Sequence, residues 1–113
     1  MQFLALIYDT EGSNDVETDV LLQQYGEFGK AAGEAGIMLG GNALEPVATA
    51  TTVTVRGGKT TITDGPFAET KEQLGGYYLL DCKDLDEALS WAAKIPSARY
   101  GRIEVRPIMI FDS

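Results

Sequence analysis

The apolar positions of this chain fall into short runs of two different periods. Phe3-Leu4-Ala5-Leu6-Ile7-Tyr8 is an unbroken apolar run bounded by Asp9 and Gly12. It shows no polar alternation, which predicts a strand apolar on both faces. Leu21, Tyr25, Phe28, Ala32 and Ala35 then recur at steps of four and three, one stripe of a helix. Asn14 and Glu17 have the spacing of a capping box at its start, and Gly36 stands where a helix ends. Ile37-Met38-Leu39 opens a second strand that Gly40-Gly41 bends or bulges.

Two β-branched runs follow, at 51–56 and 59–63, separated by Gly57-Gly58. Two glycines between such runs signal a tight hairpin, because the turn needs positive φ. Asp64-Gly65-Pro66-Phe67 stops the second run, and the charged stretch from Ala68 to Leu74 reads as a loop or a short helix. Gly76 to Cys82 has strand composition. Asp84 and Glu87 repeat the cap spacing ahead of a helix with Leu85, Ala88, Leu89 and Ala92 as its stripe and Pro96 just past its end. The last strand, from Arg102 to Ile110, alternates Ile103 and Val105 against Arg102, Glu104 and Arg106.

The order is β-α-β, hairpin, β-α-β, in one domain spanning residues 1–113. It predicts an α+β fold: a ferredoxin-like split βαβ repeat with an antiparallel sheet and an inserted β-hairpin. Helices on one side of such a sheet leave the other side bare. That bare side carries either Phe3, Ala5 and Ile7 or Leu4, Leu6 and Tyr8, plus one of Tyr77 and Tyr78. So apolar a face calls for a cover, and an isologous homodimer packing sheet on sheet supplies one.

Composition removes whole classes of chemistry. The chain has 17 acidic and 9 basic residues, a formal charge of −8, which disfavours nucleic-acid and anionic membrane partners. It contains no histidine, which excludes imidazole bases, Ser-His or Cys-His nucleophiles and His-ligated metals. Its lone Cys82 forms neither an intrachain disulfide nor a cysteine metal cluster. No apolar run reaches the ~18 residues of a membrane span, and no basic leader precedes the first strand, so a cytoplasmic protein is expected. Neither glycine pair is followed by a phosphate-loop lysine, and no calcium-type loop exists, so neither a cofactor nor a metal is expected.

The motif Asp64-Gly65-Pro66-Phe67-Ala68-Glu69-Thr70-Lys71-Glu72-Gln73-Leu74-Gly75-Gly76-Tyr77 resembles the signature of the DGPF branch of the YCII-related proteins. Leu6-Ile7-Tyr8, the run from Gly40 to Pro46 and the closing Gly101 to Pro107 are similar to that branch too, so the likeness covers nearly the whole chain. The resemblance implies a dimeric α+β barrel. Most relatives in the branch have no established reaction, and some are linked by gene neighbourhood to sigma factors and transcription initiation. Members of the related YCII branch are implicated in dehalogenation-type chemistry with a His-Asp pair, which a chain without histidine does not carry.

Two groups of residues have chemical potential. Asp64, Glu69 and Glu72 are the densest acidic cluster, and a carboxylate held in an apolar barrel mouth acquires a raised pKa suited to a general base. Asp64 and Glu69 are therefore the catalytic candidates; the alternative is a turn cap at Asp64 and solvated or Lys71-paired glutamates. Glu104 and Arg106 share one strand face, where Arg106 offers a bidentate fork to an anionic ligand. With Tyr8 and Tyr77 they are the ligand-binding candidates, against a structural ion network that includes Arg102. Asp64, Glu69 and Arg106 are expected to converge at the open end of the half-barrel. The reading is a homodimeric protein binding a small organic molecule, as a cofactor-free isomerase- or lyase-like enzyme with a carboxylate base. The alternatives are a non-catalytic regulatory protein of sigma-factor-dependent transcription, and a purely structural dimer.

Overall fold

The computed structural model describes residues 1–11 and 17–111. Its elements run β1 (Gln2–Asp9), α1 (Thr18–Glu34), β2 (Met38–Ala43), β3 (Thr51–Arg56), β4 (Lys59–Asp64), β5 (Gln73–Asp81), α2 (Leu85–Ala92) and β6 (Arg102–Pro107), with 3₁₀ turns at Val47–Thr49 and Pro96–Arg99. Four strands form one antiparallel sheet in the order β2-β5-β1-β6, and β3 and β4 form a two-stranded sheet of their own. This is the split βαβ arrangement with the hairpin between its halves. No described helix is long and apolar enough to cross a membrane.

The local chemistry sets most of the boundaries. Asp84 caps α2 by accepting from the Glu87 N–H at 2.9 Å, and the Glu87 carboxylate reaches back to the Lys83 N–H at 2.9 Å. Gly36 follows α1 with φ 72°, the left-handed residue that closes a helix end. Three boundaries differ markedly from the sequence reading, and one is the last strand, which ends at Pro107 rather than Ile110. Helix α1 starts at Thr18 with Glu17 as its N-cap, and the Glu17 side chain makes no capping bond. Asn14 lies outside the described residues. Strand β5 starts at Gln73 rather than Gly76, because its first residues pair with Tyr8 and Asp9 across a bulge at Gly75. The polar stretch before it is a loop.

Register decides which face of β1 is inside. Phe3, Ala5 and Ile7 stand opposite Leu80, Tyr78 and Gly76 of β5 and opposite Pro107, Val105 and Ile103 of β6. This face is buried beneath Phe28 and Ala32 of α1, Ala88 and Ala92 of α2, and Ile95. Phe28 joins the layers: its ring lies 5.2 Å from that of Tyr78 on the sheet and 6.3 Å from that of Trp91 on α2. The opposite face carries Leu4, Leu6, Tyr8, Tyr77 and Leu79, all half-buried, with no second layer across it among the described residues. Of the two sets, the bare face is thus the one with Leu4, Leu6, Tyr8 and Tyr77.

The hairpin turns at Gly57 and Gly58, with φ of 57° and 78°, the double left-handed turn that matches strand twist. Its base is tied by Gly65 N–H to Ala50 O at 2.7 Å and by the Thr52 hydroxyl to Gly65 O at 2.8 Å.

Candidate functional site

A cavity of about 450 Å³ opens between α1 and the helix-facing side of the sheet, where β1 and β2 end and β5 begins. Asp9 continues the alternation of Phe3, Ala5 and Ile7, so it lines this cavity while Tyr8 points to the bare face. One carboxylate oxygen of Asp9 accepts from the Thr10 N–H at 2.7 Å. Tyr25 comes from the buried stripe of α1, and its hydroxyl meets the Ser97 hydroxyl at 2.5 Å. Ser97 itself is buried in the 3₁₀ turn that Pro96 initiates.

Glycines make the floor. A side chain on Gly76 would stand 2.9 Å from the Asn42 carbonyl oxygen, and one on Gly41 would run into the Tyr78 ring. Their absence lets Tyr78 lie flat across β2 and leaves space under α1.

The wall is mostly apolar, with Ile7, Leu21 and Tyr78 among its residues. Asp9 is the single charged side chain among the described residues that line it. Burial pushes the Tyr25 phenol above its ordinary value of 10.0, the Ser97 hydrogen bond draws it back in part, and the Asp9 charge adds to the rise. Burial, then Tyr25, pushes Tyr78 up likewise. Both phenols therefore stay protonated through neutral pH. The cavity thus holds a carboxylate acceptor together with phenol and hydroxyl donors, the pairing that proton transfer requires. Among the described residues no group of three or more carboxylate or cysteine side chains is placed to hold a metal ion.

The residues singled out from sequence divide into two groups. Tyr8, Tyr77, Glu104 and Arg106 share the bare face. Across it, Glu104 stands opposite Leu6, Leu6 opposite Tyr77, and Tyr77 opposite Asn42, whose amide donates to the Tyr77 hydroxyl at 2.9 Å. Arg106 lies one row away, opposite Leu4. Tyr8 and Glu104 also line a shallow depression with Glu72, Arg102 and Ile103. There Arg102 pairs with Glu72 at 3.0 Å, so the acid of the motif that reaches the sheet is Glu72. Asp64 closes β4 opposite Thr51 and is exposed, and Glu69 is exposed in the following loop. Neither lines the cavities described here. Sequence reasoning passed over Asp9, Tyr25 and Ser97 as a group. A legible signal existed for Asp9: an acid at the period-two position of the inward-facing strand residues.

The chain spans 96% of itself and 94% of a solved structure at TM-score 0.57 and 16% identity. That structure is 5-chloro-2-hydroxyhydroquinone dehydrochlorinase from Burkholderia phenoliruptrix AC1100 in complex with 2,5-dihydroxybenzoquinone, and the likeness is one of fold. An uncharacterized protein of Rhizobium meliloti (strain 1021) is 49% identical over 70 residues, which is 60% of this chain and 56% of that protein. The chain thus spans just over half the length of that relative. The model of the YCII-related domain matches residues 1–112, nearly the full length. The chain belongs to the YCII-related domain family.

Proposed function

We propose that the chain binds a small, largely apolar organic molecule in the cavity under α1, with Asp9 as the group that takes a proton from it. The observation that carries this reading is a single carboxylate in a mostly apolar cavity that also holds the hydrogen-bonded Tyr25–Ser97 hydroxyl pair. The dehydrochlorinase of similar fold holds a ring-sized ligand, 2,5-dihydroxybenzoquinone, which supports a pocket of this scale. The reaction such a site suits is an isomerase- or lyase-like proton transfer. Asp9 accepts the proton from a carbon next to a carbonyl. The electron pair moves to the carbonyl oxygen, which the hydroxyl pair then hydrogen-bonds. In a substrate with a double bond one carbon further on, the pair extends over it, and return of the proton to its far carbon completes an isomerisation.

The test is NMR titration of the protein with small ring ketones and quinones. Binding should move the amide signals of Gly41, Gly76 and Ser97. Asp9→Asn should keep the binding and lose any solvent-proton exchange into the ligand. Signals that move only on the bare face would refute the assignment of the cavity.

The bare face has a different part in this reading. Leu4, Leu6 and Leu79, with Tyr77 beside them, form the seam on which a second copy packs, and Glu104 and Arg106 flank that seam on β6. Asp64 and Glu69 lie outside the cavity chemistry.

A further inference from the structure

We infer that the β3–β4 hairpin is a clasp that closes over a second copy of this chain. The inference rests on the pairing proposed for the bare sheet face and adds the arm that holds it.

The hairpin is amphipathic in a way the chain itself does not use. Val53 stands directly opposite Ile62, and Val55 is two residues along the same strand, so all three share a face. The other face carries Thr52, Thr54, Thr61 and Thr63. Yet Val53, Val55 and Ile62 are 61%, 57% and 69% exposed, while Thr52 and Thr54 are the half-buried ones. The apolar face is thus the open one, and Thr52 and Thr54 are the partly covered side chains of β3. Alternation this regular records a buried face, and nothing among the described residues buries it.

Size gives the same answer. The radius of gyration is 16.2 Å, against about 13 Å for a compact chain of this length. The accessible surface is 8023 Å², whereas a compact monomer of this mass exposes about 6,100 Å². The excess of roughly 2,000 Å² per chain is the scale that an obligate dimer buries, and is far above a chance contact.

Charge adds a direction. The hairpin from Thr51 to Asp64 carries Arg56 and Lys59 beside its turn and one carboxylate, Asp64, at its base. Subtracting its +1 from the net −8 leaves −9 on the rest of the chain. A basic arm on an acidic body is complementary to another copy of the same body.

Sedimentation velocity over a wide concentration range tests this. The variant Val53→Thr/Val55→Thr/Ile62→Thr keeps β-branched side chains and hence the strand preference of the hairpin. It should raise the dimer dissociation constant at least ~100-fold, since every lost contact occurs twice in an isologous pair. A second readout leaves the chain nearly unaltered: Ile62→Cys carrying an environment-sensitive dye should shift to the blue as the protein is concentrated through its dimerisation range. A wild-type chain that stays monomeric would overturn both the clasp and the pairing of sheets. A wild-type dimer that the triple variant leaves unweakened, or a dye that stays in water throughout, would overturn the clasp alone.

Discussion

Phe28 is the contact through which both helices and the sheet are held together. It is 5% exposed, with its ring tilted at 46° to Tyr78 and edge-on at 74° to Trp91. Two substitutions separate what the ring contributes from what its volume contributes. Phe28→Leu keeps most of the volume and removes two aromatic pairs at ~0.5–1.5 kcal/mol each, a loss of about 1–3 kcal/mol. Phe28→Ala also opens a cavity at the meeting point of three elements, which brings the loss to about 3–5 kcal/mol. Urea unfolding at one fixed protein concentration measures both. Trp91 is the chain's single tryptophan and its ring touches the site of change, so its fluorescence reports the transition directly. The slopes against urea should agree within error, since the unfolded surface is nearly the same. If the alanine variant loses less than ~2 kcal/mol, or the leucine variant loses as much as the alanine one, Phe28 is not the keystone of this core.

Three further outcomes follow from positions described above. Gly41→Ala should cost about 1–3 kcal/mol in thermal melts because its new methyl meets the Tyr78 ring and the Tyr77 carbonyl, whereas Gly40→Ala, with open space around it, should stay within ~1 kcal/mol of the parent. The Tyr25 phenol is raised above 10.0 in the folded chain, so above that pH the unfolded chain releases the proton first. Stability is therefore fully present below pH 10 and declines as pH rises, and Tyr25→Phe should make that decline shallower in denaturant midpoints measured from pH 9 to 11. Cys82 is buried, and burial, Glu87 and Asp81 all push its thiol up. Iodoacetamide at pH 8 should modify it at least ~100-fold more slowly in the folded protein than in urea.

Where one residue type decides the local geometry, the sequence was readable. Gly57-Gly58 could only be a turn with positive φ, Asp84 was a helix cap, and Gly40-Gly41 marked the irregularity seen between Met38 and Gly40. The unbroken apolar β1 offered no polar side by which to tell its inner face: choosing between Phe3-Ala5-Ile7 and Leu4-Leu6-Tyr8 required the helices above the sheet, which periodicity within one strand does not contain. The start of α1 was placed three residues early because Asn14 and Glu17 have cap spacing, whereas Glu17 itself precedes the first helical residue. The cavity was harder still. Asp9 reads as the boundary of a strand and Tyr25 as one more stripe residue, and nothing in the pattern singles out Ser97 beside Pro96. They meet only because β1, α1 and the turn after α2 converge, and that convergence is a property of the packed layers.

The sheet order has a kinetic consequence. β1 occupies the interior of the sheet, with partners on both sides, yet it is synthesised before both of them. Asp9 pairs with Gln73, and Phe3 pairs with Leu80 on one side and Pro107 on the other. At ~5–20 residues per second, β1 waits about 3–13 seconds before even the first of its β5 partners is synthesised. It waits longer for β6, whose last residues are near the end of the chain. The β3–β4 hairpin, by contrast, pairs within 14 residues and closes on its own as it emerges. The most apolar strand of the fold is thus the one left longest without a neighbour during synthesis. A circular permutation that opens the chain between β1 and α1 and links β6 to β1 would bring β1 out after both of its partners while keeping the pairing of the finished sheet.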